Sequence, residues 1–192
     1  MALPAQYAWL SKETGPKMVL GSWLFGTVEA PDPKDNPAIL GWASEIGVAK
    51  TYSHDSIPWC GLFIGLVAKL AGQKVVDSPL WALSWADFGG ASPVPMLGDG
   101  LTFKRDGGGH AALYVGEDTG AYHCLGGNQP DQVCFARIAK SRLYRARRPI
   151  PLTATSGFGA SAGKRSTRTW FCRTSPASGK SLSRPTCATC RW

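Results

Sequence analysis

The sequence predicts an α+β domain with helices in its first half and an antiparallel sheet in its second half. Up to about residue 90, apolar residues recur every three or four positions, as on one face of a helix. After Pro95 the period changes to two, in short runs separated by Gly, Asp and Asn. From residue 150 the chain is rich in Ser, Thr, Gly and Arg and poor in core-forming residues. We therefore expect one domain over 1–149 and a disordered tail over 150–192, because such a tail buries too little apolar surface to offset its ordering entropy.

The helical half contains four segments with helix-like spacing: 4–14, 36–47, 58–71 and 78–90. Asn36 is expected to cap the second helix, with Pro37 at its first position. The third segment is apolar on nearly every side, so we expect it to be buried all round and to end at Gly72. Ser78 is the expected cap of the fourth, whose Trp81 and Trp85 we interpret as core residues rather than a sugar platform.

The second half contains five short strand-like runs: 100–104, 110–116, 121–127, 132–138 and 141–147. They are partly β-branched or aromatic, and turn-forming residues separate them. Helices followed by a meander predict that helix 58–71 packs against an antiparallel sheet.

The basic character of the chain belongs to its tail. The formal charge is +8, but residues 1–149 hold 14 Lys and Arg against 13 Asp and Glu, whereas 150–192 hold seven against none. A nearly neutral domain argues against a nucleic-acid-binding face within the fold, and we do not expect nucleic acid as its partner. The tail is suited to contact any polyanion, whether nucleic acid, anionic lipid or cell-wall polymer.

Nothing in the sequence predicts a membrane span or a signal peptide. The longest apolar run covers about seven residues, 62–68, far below the roughly 18 that cross a bilayer. We therefore expect synthesis in the cytoplasm, where the six cysteines would stay reduced. The pair Cys187 and Cys190 has zinc-like spacing, but too few ligands accompany it, and we interpret it as part of the tail.

Cys60 is the candidate nucleophile. It begins the apolar helix, where unpaired backbone N–H groups and the positive end of the helix dipole favour thiolate over thiol. The same N–H groups can stabilise an oxyanion, so one position supplies both requirements of acyl transfer.

His110 is the best placed of the three histidines to share the thiol proton. It follows the flexible "RDGGG" loop and opens a predicted strand. If the next hairpin has a three-residue loop at 118–120, or an equivalent bulge, His110 lies opposite Asn128 on the same face of the sheet, and Gly120 suits the left-handed conformation. Asn128 is therefore expected to orient the imidazole, with Gln129 as its competitor.

Four stretches in this order resemble the CHAP and NlpC-like cysteine amidohydrolases, particularly their phage and prophage endolysin-type branch. They are "DSIPWCGLFIGLVAKLAG", "GDGLTFKRDGGGHAALYVGED", "LGGNQPDQV" and "SRLYRARRP", and the match spans roughly 36–149. The resemblance implies a papain-like fold, peptidoglycan peptide as the substrate, and Cys60, His110 and Asn128 as nucleophile, base and orienting group.

On this basis we expect a monomeric peptidoglycan hydrolase that needs no cofactor and no metal. It would act on the cell wall after release through a membrane pore, injection with a phage particle, or export by a route that the sequence does not show. Cleavage by an endopeptidase and cleavage by a muramoyl-amide hydrolase remain equally open. The rival functions are an inactive wall- or tail-binding module of the same fold and a nucleic-acid-binding protein acting through the tail.

Other residues near the motifs are expected to have supporting roles. Trp59, Asp55 and Gln129 are candidate substrate contacts, although Trp59 is equally suited to packing under the turn and Asp55 to bracing it. We interpret Cys124 and Cys134 as packing residues within strands, His123 as a structural histidine and His54 as a loop residue.

Overall fold

A computed structural model of the protein describes residues 2–13 and 17–150, and it has the predicted α+β architecture. Its two α-helices are α1, Pro37–Glu45, and α2, Cys60–Leu70. Four 3-10 helices accompany them: Ala5–Lys12, Lys17–Leu24, Ala82–Asp87 and Lys140–Arg142. No helix within the described ranges is long and apolar enough to cross a membrane. The predicted tail, with Cys187 and Cys190, lies outside the described residues apart from Ile150.

Six strands form one antiparallel sheet in the order β1-β6-β2-β3-β4-β5. Their bounds are β1 Gly90–Ala91, β2 Gly100–Arg105, β3 Gly108–Glu117, β4 Ala121–Gly126, β5 Cys134–Ala139 and β6 Leu143–Arg148. The last five correspond to the five predicted strands. The two-residue strand β1 was not predicted, because so short a run shows no alternation.

The ends of α1 and α2 follow the sequence signals. The Asn36 side chain accepts a hydrogen bond from the N–H of Ala38 at 2.9 Å, and Pro37 occupies the first turn, as expected. Every residue of α2 from Cys60 to Ala68 is buried. The expectation of burial all round is wrong only at the end, where Leu70 is 56% exposed.

The segment 78–90 is not the single capped helix that the sequence predicts. A 3-10 helix covers only Ala82–Asp87. Ser78 does not cap it with its side chain; its backbone carbonyl oxygen accepts a hydrogen bond from the hydroxyl of Ser84 at 2.6 Å. Trp85 is buried and donates to the carbonyl of Pro79 at 3.0 Å. Trp81 is 60% exposed, so its assignment to the core is wrong.

Apolar side chains cover both faces of the sheet. On one face, α1, α2 and the first two 3-10 helices share a large cluster with Ala111, Leu113 and Val115 of β3. The opposite face carries a second cluster, made of Leu101, Phe103, Ala112, Tyr122, Cys124, Ala136 and Ile138. Residues of β3 alternate between the two clusters, as the pleat of a strand requires.

The hairpin between β3 and β4 contains the predicted bulge but not the predicted turn. Glu117 pairs with Tyr122, the register shifts between Tyr114 and Gly116, and Leu113 then pairs with Leu125. The Asp118 side chain holds the turn by accepting from the N–H groups of Gly120 and Ala121, both at 3.0 Å. Gly120 therefore does not need the left-handed conformation, and it does not adopt it.

Candidate active site

Cys60 is the first residue of α2, and its surroundings leave the helix end open to a negative charge. The preceding residue, Trp59, makes no side-chain capping bond, so the first backbone N–H groups stay unpaired by a cap. At Gly61 any Cβ would lie 2.2 Å from the carbonyl oxygen of Pro79, so only glycine fits there. Cys60 itself is 5% exposed.

The Cys60 thiol is poised to ionise. Burial raises its pKa, but the positive charge of His110, a hydrogen bond with the His110 side chain, and backbone hydrogen bonds from Ala111 and Gly61 outweigh that effect. The net pKa of Cys60 lies below that of an ordinary thiol. The sequence predicted this direction from the helix end alone; the N–H of Ala111 is an additional donor that it did not reveal.

His110 meets Gln129 on its other side. The ring Nε2 lies 2.8 Å from Oε1 of Gln129, and both residues are buried. The amide nitrogen of Gln129 donates to the carbonyl oxygens of Cys134 at 2.6 Å and of Gly126 at 3.3 Å. Because both hydrogens of the Gln129 amide are used there, Oε1 of Gln129 faces the ring and can only accept a hydrogen bond. The Nε2 of His110 must therefore carry a proton. Nδ1 is then the ring nitrogen left for the hydrogen bond between His110 and the Cys60 side chain.

The expectation that Asn128 orients the imidazole is wrong in this structure. Strand β4 ends at Gly126, so the pairing that would set Asn128 opposite His110 does not extend that far. Asn128 instead has a left-handed backbone, with φ of 56°, and its amide donates to Asp131 at 3.5 Å. The next residue, Gln129, therefore occupies the place beside the ring.

Gln129 reaches the ring because two glycines precede it. Its side chain folds back so closely over Gly126 that a Cβ there would lie 2.7 Å from the amide carbon. At Gly127 a Cβ would lie 2.6 Å from atoms of both Phe63 and Trp59. The "GGNQ" motif thus lets one loop pack against α2 and place the Gln129 amide beside the His110 ring.

Trp59 is not a wall of an open cleft. It is fully buried, packs edge-on against Trp42 with 5.9 Å between ring centroids, and donates from Nε1 to a carboxylate oxygen of Glu29 at 3.1 Å. The candidate role in substrate binding is wrong, and the alternative of packing under the turn is correct.

Asp55 is also a structural residue rather than a substrate contact. It is 1% exposed, and its Oδ2 accepts from the N–H groups of Ala30 and Asn36, both at 2.8 Å. Its own N–H donates to Asp35 at 2.9 Å, while His54 lies 3.2 Å from the same carboxylate. Asp55 therefore braces the loop leading to α1, and the hydrogen bond with His54 fits the loop role expected for that histidine.

One wall of the site was missed by sequence reasoning. The segment 79–83, which we call the wall segment, touches Gly61 next to the thiol through Pro79 and Leu80. It also reaches Gly109 next to the imidazole, where a Cβ would lie 2.5 Å from the Leu83 side chain. Trp81 projects from this segment into solvent. The glycines flanking Cys60 and His110 were the available signal, since each permits a close approach.

Among the residues that the structure describes, the other cysteines and histidines lack this arrangement. Burial raises the pKa of Cys124 far above its usual range, and Cys134 is buried with its sulfur directed at the carbonyl of Gln129. His123 lies 2.9 Å from Asp118 and 3.1 Å from the hydroxyl of Tyr7, as a structural histidine would. No group of three or more His, Cys, Asp or Glu side chains in 2–13 and 17–150 is arranged to hold a metal ion.

Comparison of the chain with protein-family models, with curated proteins and with solved structures found no match.

Proposed function

We propose that the protein is a papain-like cysteine hydrolase that cleaves an amide bond of peptidoglycan. The observation that carries the proposal is the 2.8 Å hydrogen bond between His110 and Gln129, on a ring that also hydrogen-bonds to Cys60. Nucleophile, base and orienting group are thus in contact, which is the arrangement that thiol acyl transfer needs. This arrangement combines one residue each from α2, β3 and the loop between β4 and β5.

The reaction proceeds in two steps. The Cys60 thiolate attacks the scissile carbonyl to form a carbon–sulfur bond, and the carbonyl oxygen becomes an oxyanion beside the N–H groups at the start of α2. The carbon–nitrogen bond then breaks as His110 gives its Nδ1 proton to the departing amine. Water, deprotonated by His110, hydrolyses the thioester, which releases a carboxylic acid and restores the thiol. Gln129 keeps the ring in one tautomer throughout.

The choice of peptidoglycan depends on the resemblance of the motifs around Cys60, His110 and Gln129 to those of the CHAP and NlpC-like enzymes. Phage or prophage lysis is the setting that this substrate favours, with delivery by a pore or a particle. The basic composition of 150–192 suits contact with anionic wall polymers.

The test is release of new amino groups and termini from purified peptidoglycan. Wild type should release them, while Cys60→Ala and His110→Ala should lose at least about a thousandfold in rate, as removal of a catalytic triad member does. Matched controls are Cys124→Ala, a buried thiol remote from a base, and His54→Ala, an exposed imidazole in a loop. Both controls should retain activity, and undiminished release by Cys60→Ala would refute the mechanism.

The limited exposure of the site favours one rival, a binding module that keeps the fold without turnover. Cys60 is 5% exposed and His110 is 9% exposed. Such a module would bind peptidoglycan as well after Cys60→Ala as before, and neither protein would release amino groups. The same assay, with a sedimentation measurement of wall binding, separates the two functions.

A further inference from the structure

A groove with two arginines opens beside His110, on the side of the sheet that carries the second apolar cluster. It is a small groove, with about 10 Å³ of room for the centre of a water molecule, and it is lined by Phe103, Arg105, His110, Ile138 and Arg142. Phe103 and Ile138 are buried, whereas Arg105 is exposed and Arg142 half-buried. The groove therefore has an apolar base, cationic edges and the candidate catalytic imidazole in its lining.

Neither arginine has an acidic partner among the described residues. Arg137 and Arg148 form ion pairs with Asp118 and Asp99, at 2.6 and 2.9 Å, but no carboxylate within 2–13 and 17–150 lies within 4.0 Å of Arg105 or Arg142. The neighbouring Asp106 is exposed in the turn after β2 and pairs with neither. Two unneutralised guanidinium groups at one groove attract an anion.

Arg142 is held in place without using up its hydrogen-bonding capacity. Its Nε donates to the backbone carbonyl of Lys104 at 3.4 Å, and its terminal amino groups have no partner in the part of the chain that the structure describes. A planar guanidinium with its terminal nitrogens available is suited to bind a carboxylate through two parallel hydrogen bonds.

We propose that this groove binds a carboxylate on the amine half of the substrate. The inference rests on the proposed hydrolase function and adds a specificity element to it. His110 must protonate the departing amine, so the amine half of the substrate lies next to the ring. Both candidate cleavages of a wall peptide leave an amine half that ends in the carboxyl terminus of the stem peptide. Arg105 and Arg142 are then specificity residues that recognise this charge, outside the catalytic group.

The test measures binding without turnover, in the full-length Cys60→Ala variant. The probes are a wall-derived stem tetrapeptide with a free terminal carboxylate and the same peptide with a terminal carboxamide, compared by calorimetry. We expect about tenfold tighter binding of the carboxylate form, the gain typical of a charge-assisted bidentate contact. Arg105→Gln and Arg142→Gln should each reduce this preference, and together they should abolish it.

Arg145→Gln is the matched control, because Arg145 is an exposed cation of β6 outside the groove lining. It should leave the preference unchanged. Equal affinity for the two peptides, no measurable binding of either, or an equal effect of Arg145→Gln would each overturn the proposal. The last result would show that general charge, rather than the groove, attracts the peptide.

Kinetics on the two peptides separate this proposal from the hydrolase function. If wild type cleaves both with the same kcat/KM, the carboxylate site is refuted and the hydrolase stands. If the carboxylate is preferred in binding but wild type releases no amino groups from purified peptidoglycan, the hydrolase is refuted and the anion site stands. A true carboxylate site raises KM in Arg142→Gln and leaves kcat nearly unchanged.

Discussion

At the scale of single residues, the reactivity of Cys60 depends on a balance between burial and charge. Burial alone would give an inert thiol, as it does at Cys124, whose pKa is raised. At Cys60 the adjacent imidazolium and two backbone N–H groups reverse that direction. The difference between the two cysteines is therefore their partners, since both side chains are buried.

We expect iodoacetamide at pH 7 to alkylate Cys60 at least about tenfold faster than Cys124, because the thiolate is the reactive species. Alkylation of Cys60 should rise with pH to a plateau whose midpoint lies below the value of about 8.5 for a free thiol. His110→Ala should move that midpoint upward, since burial is then opposed only by the N–H groups. The measurement is peptide mapping by mass spectrometry between pH 5 and 9. A midpoint unchanged by His110→Ala would contradict this account.

The roles of Cys60 and His110 followed from local rules, whereas that of Gln129 required a turn that the sequence does not display. The helix end and the strand start each occupy a short stretch of chain, so their side chains could be assigned directly. The choice between Asn128 and Gln129 depended on where β4 ends. Asn128 lies two residues beyond Gly126, the last residue of the strand, so strand pairing no longer fixes the direction of its side chain. The longer glutamine side chain also reaches back across the loop, which simple pairing rules do not anticipate.

At the scale of elements, the loop between β4 and β5 packs against the start of α2 and also hydrogen-bonds to His110. Gly127 lies against Trp59 and Phe63 of the helix start, and Gln129, two residues later, holds the His110 ring. The same loop is tied at its far end by the hydrogen bond from Gln129 N–H to Gln132 O at 2.9 Å. Its backbone therefore has little freedom to move away from the helix without moving the amide.

Gly127→Ala should reduce both stability and activity. The added Cβ would sit 2.6 Å from the Cβ of Phe63, which belongs to a buried helix and cannot yield easily. We expect a loss of about 1–3 kcal/mol in the free energy of unfolding, the usual cost of overpacking, and at least a tenfold loss of peptidoglycan release.

Gly116→Ala is the control for this substitution, because nothing lies within 4 Å of a Cβ at Gly116 of β3 and its φ is not positive. Urea unfolding monitored by tryptophan fluorescence reports stability, and the amino-group assay reports activity. Similar losses in the two variants would show that glycine is not specifically needed at 127.

The strands were predictable because turn residues mark their ends, but the wall segment was not. Segment 78–90 has helical spacing, yet Pro79 lies against Gly61 and accepts from the Trp85 indole. Those tertiary contacts hold the first residues outside a helix and leave only Ala82–Asp87 as a 3-10 helix. Contacts between distant segments override local helix propensity here, and they also place Trp81 in solvent.

At the scale of the whole molecule, a polar chain links the N-terminal 3-10 helix to the far edge of the sheet. Tyr7 stacks on Phe135 of β5, with 3.9 Å between centroids, and its hydroxyl meets His123 of β4. His123 and Arg137 in turn both bind Asp118, at 2.9 and 2.6 Å. Asp118 thus connects the turn after β3, two strands and the start of the chain.

Asp118 should make the fold sensitive to acid. Hydrogen bonds from His123, Arg137 and the N–H groups of Gly120 and Ala121 hold the pKa of its carboxyl well below the usual range. Because the folded-state pKa is depressed, its contribution to stability is fully present above the unfolded value of about 3.9 and is lost as pH falls below it.

Asp118→Asn should therefore lower the free energy of unfolding between pH 5 and 7, and its difference from wild type should shrink as pH falls from about 4 toward 2. Asp77→Asn is the control, since Asp77 is exposed and makes no hydrogen bond or ion pair in the described residues; it should match wild type at each pH. Urea midpoints measured at intervals of one pH unit provide the comparison. A deficit in Asp118→Asn that stays constant down to pH 2 would mean that its carboxylate charge does not stabilise the fold, and that the hydrogen-bonded turn alone accounts for the loss.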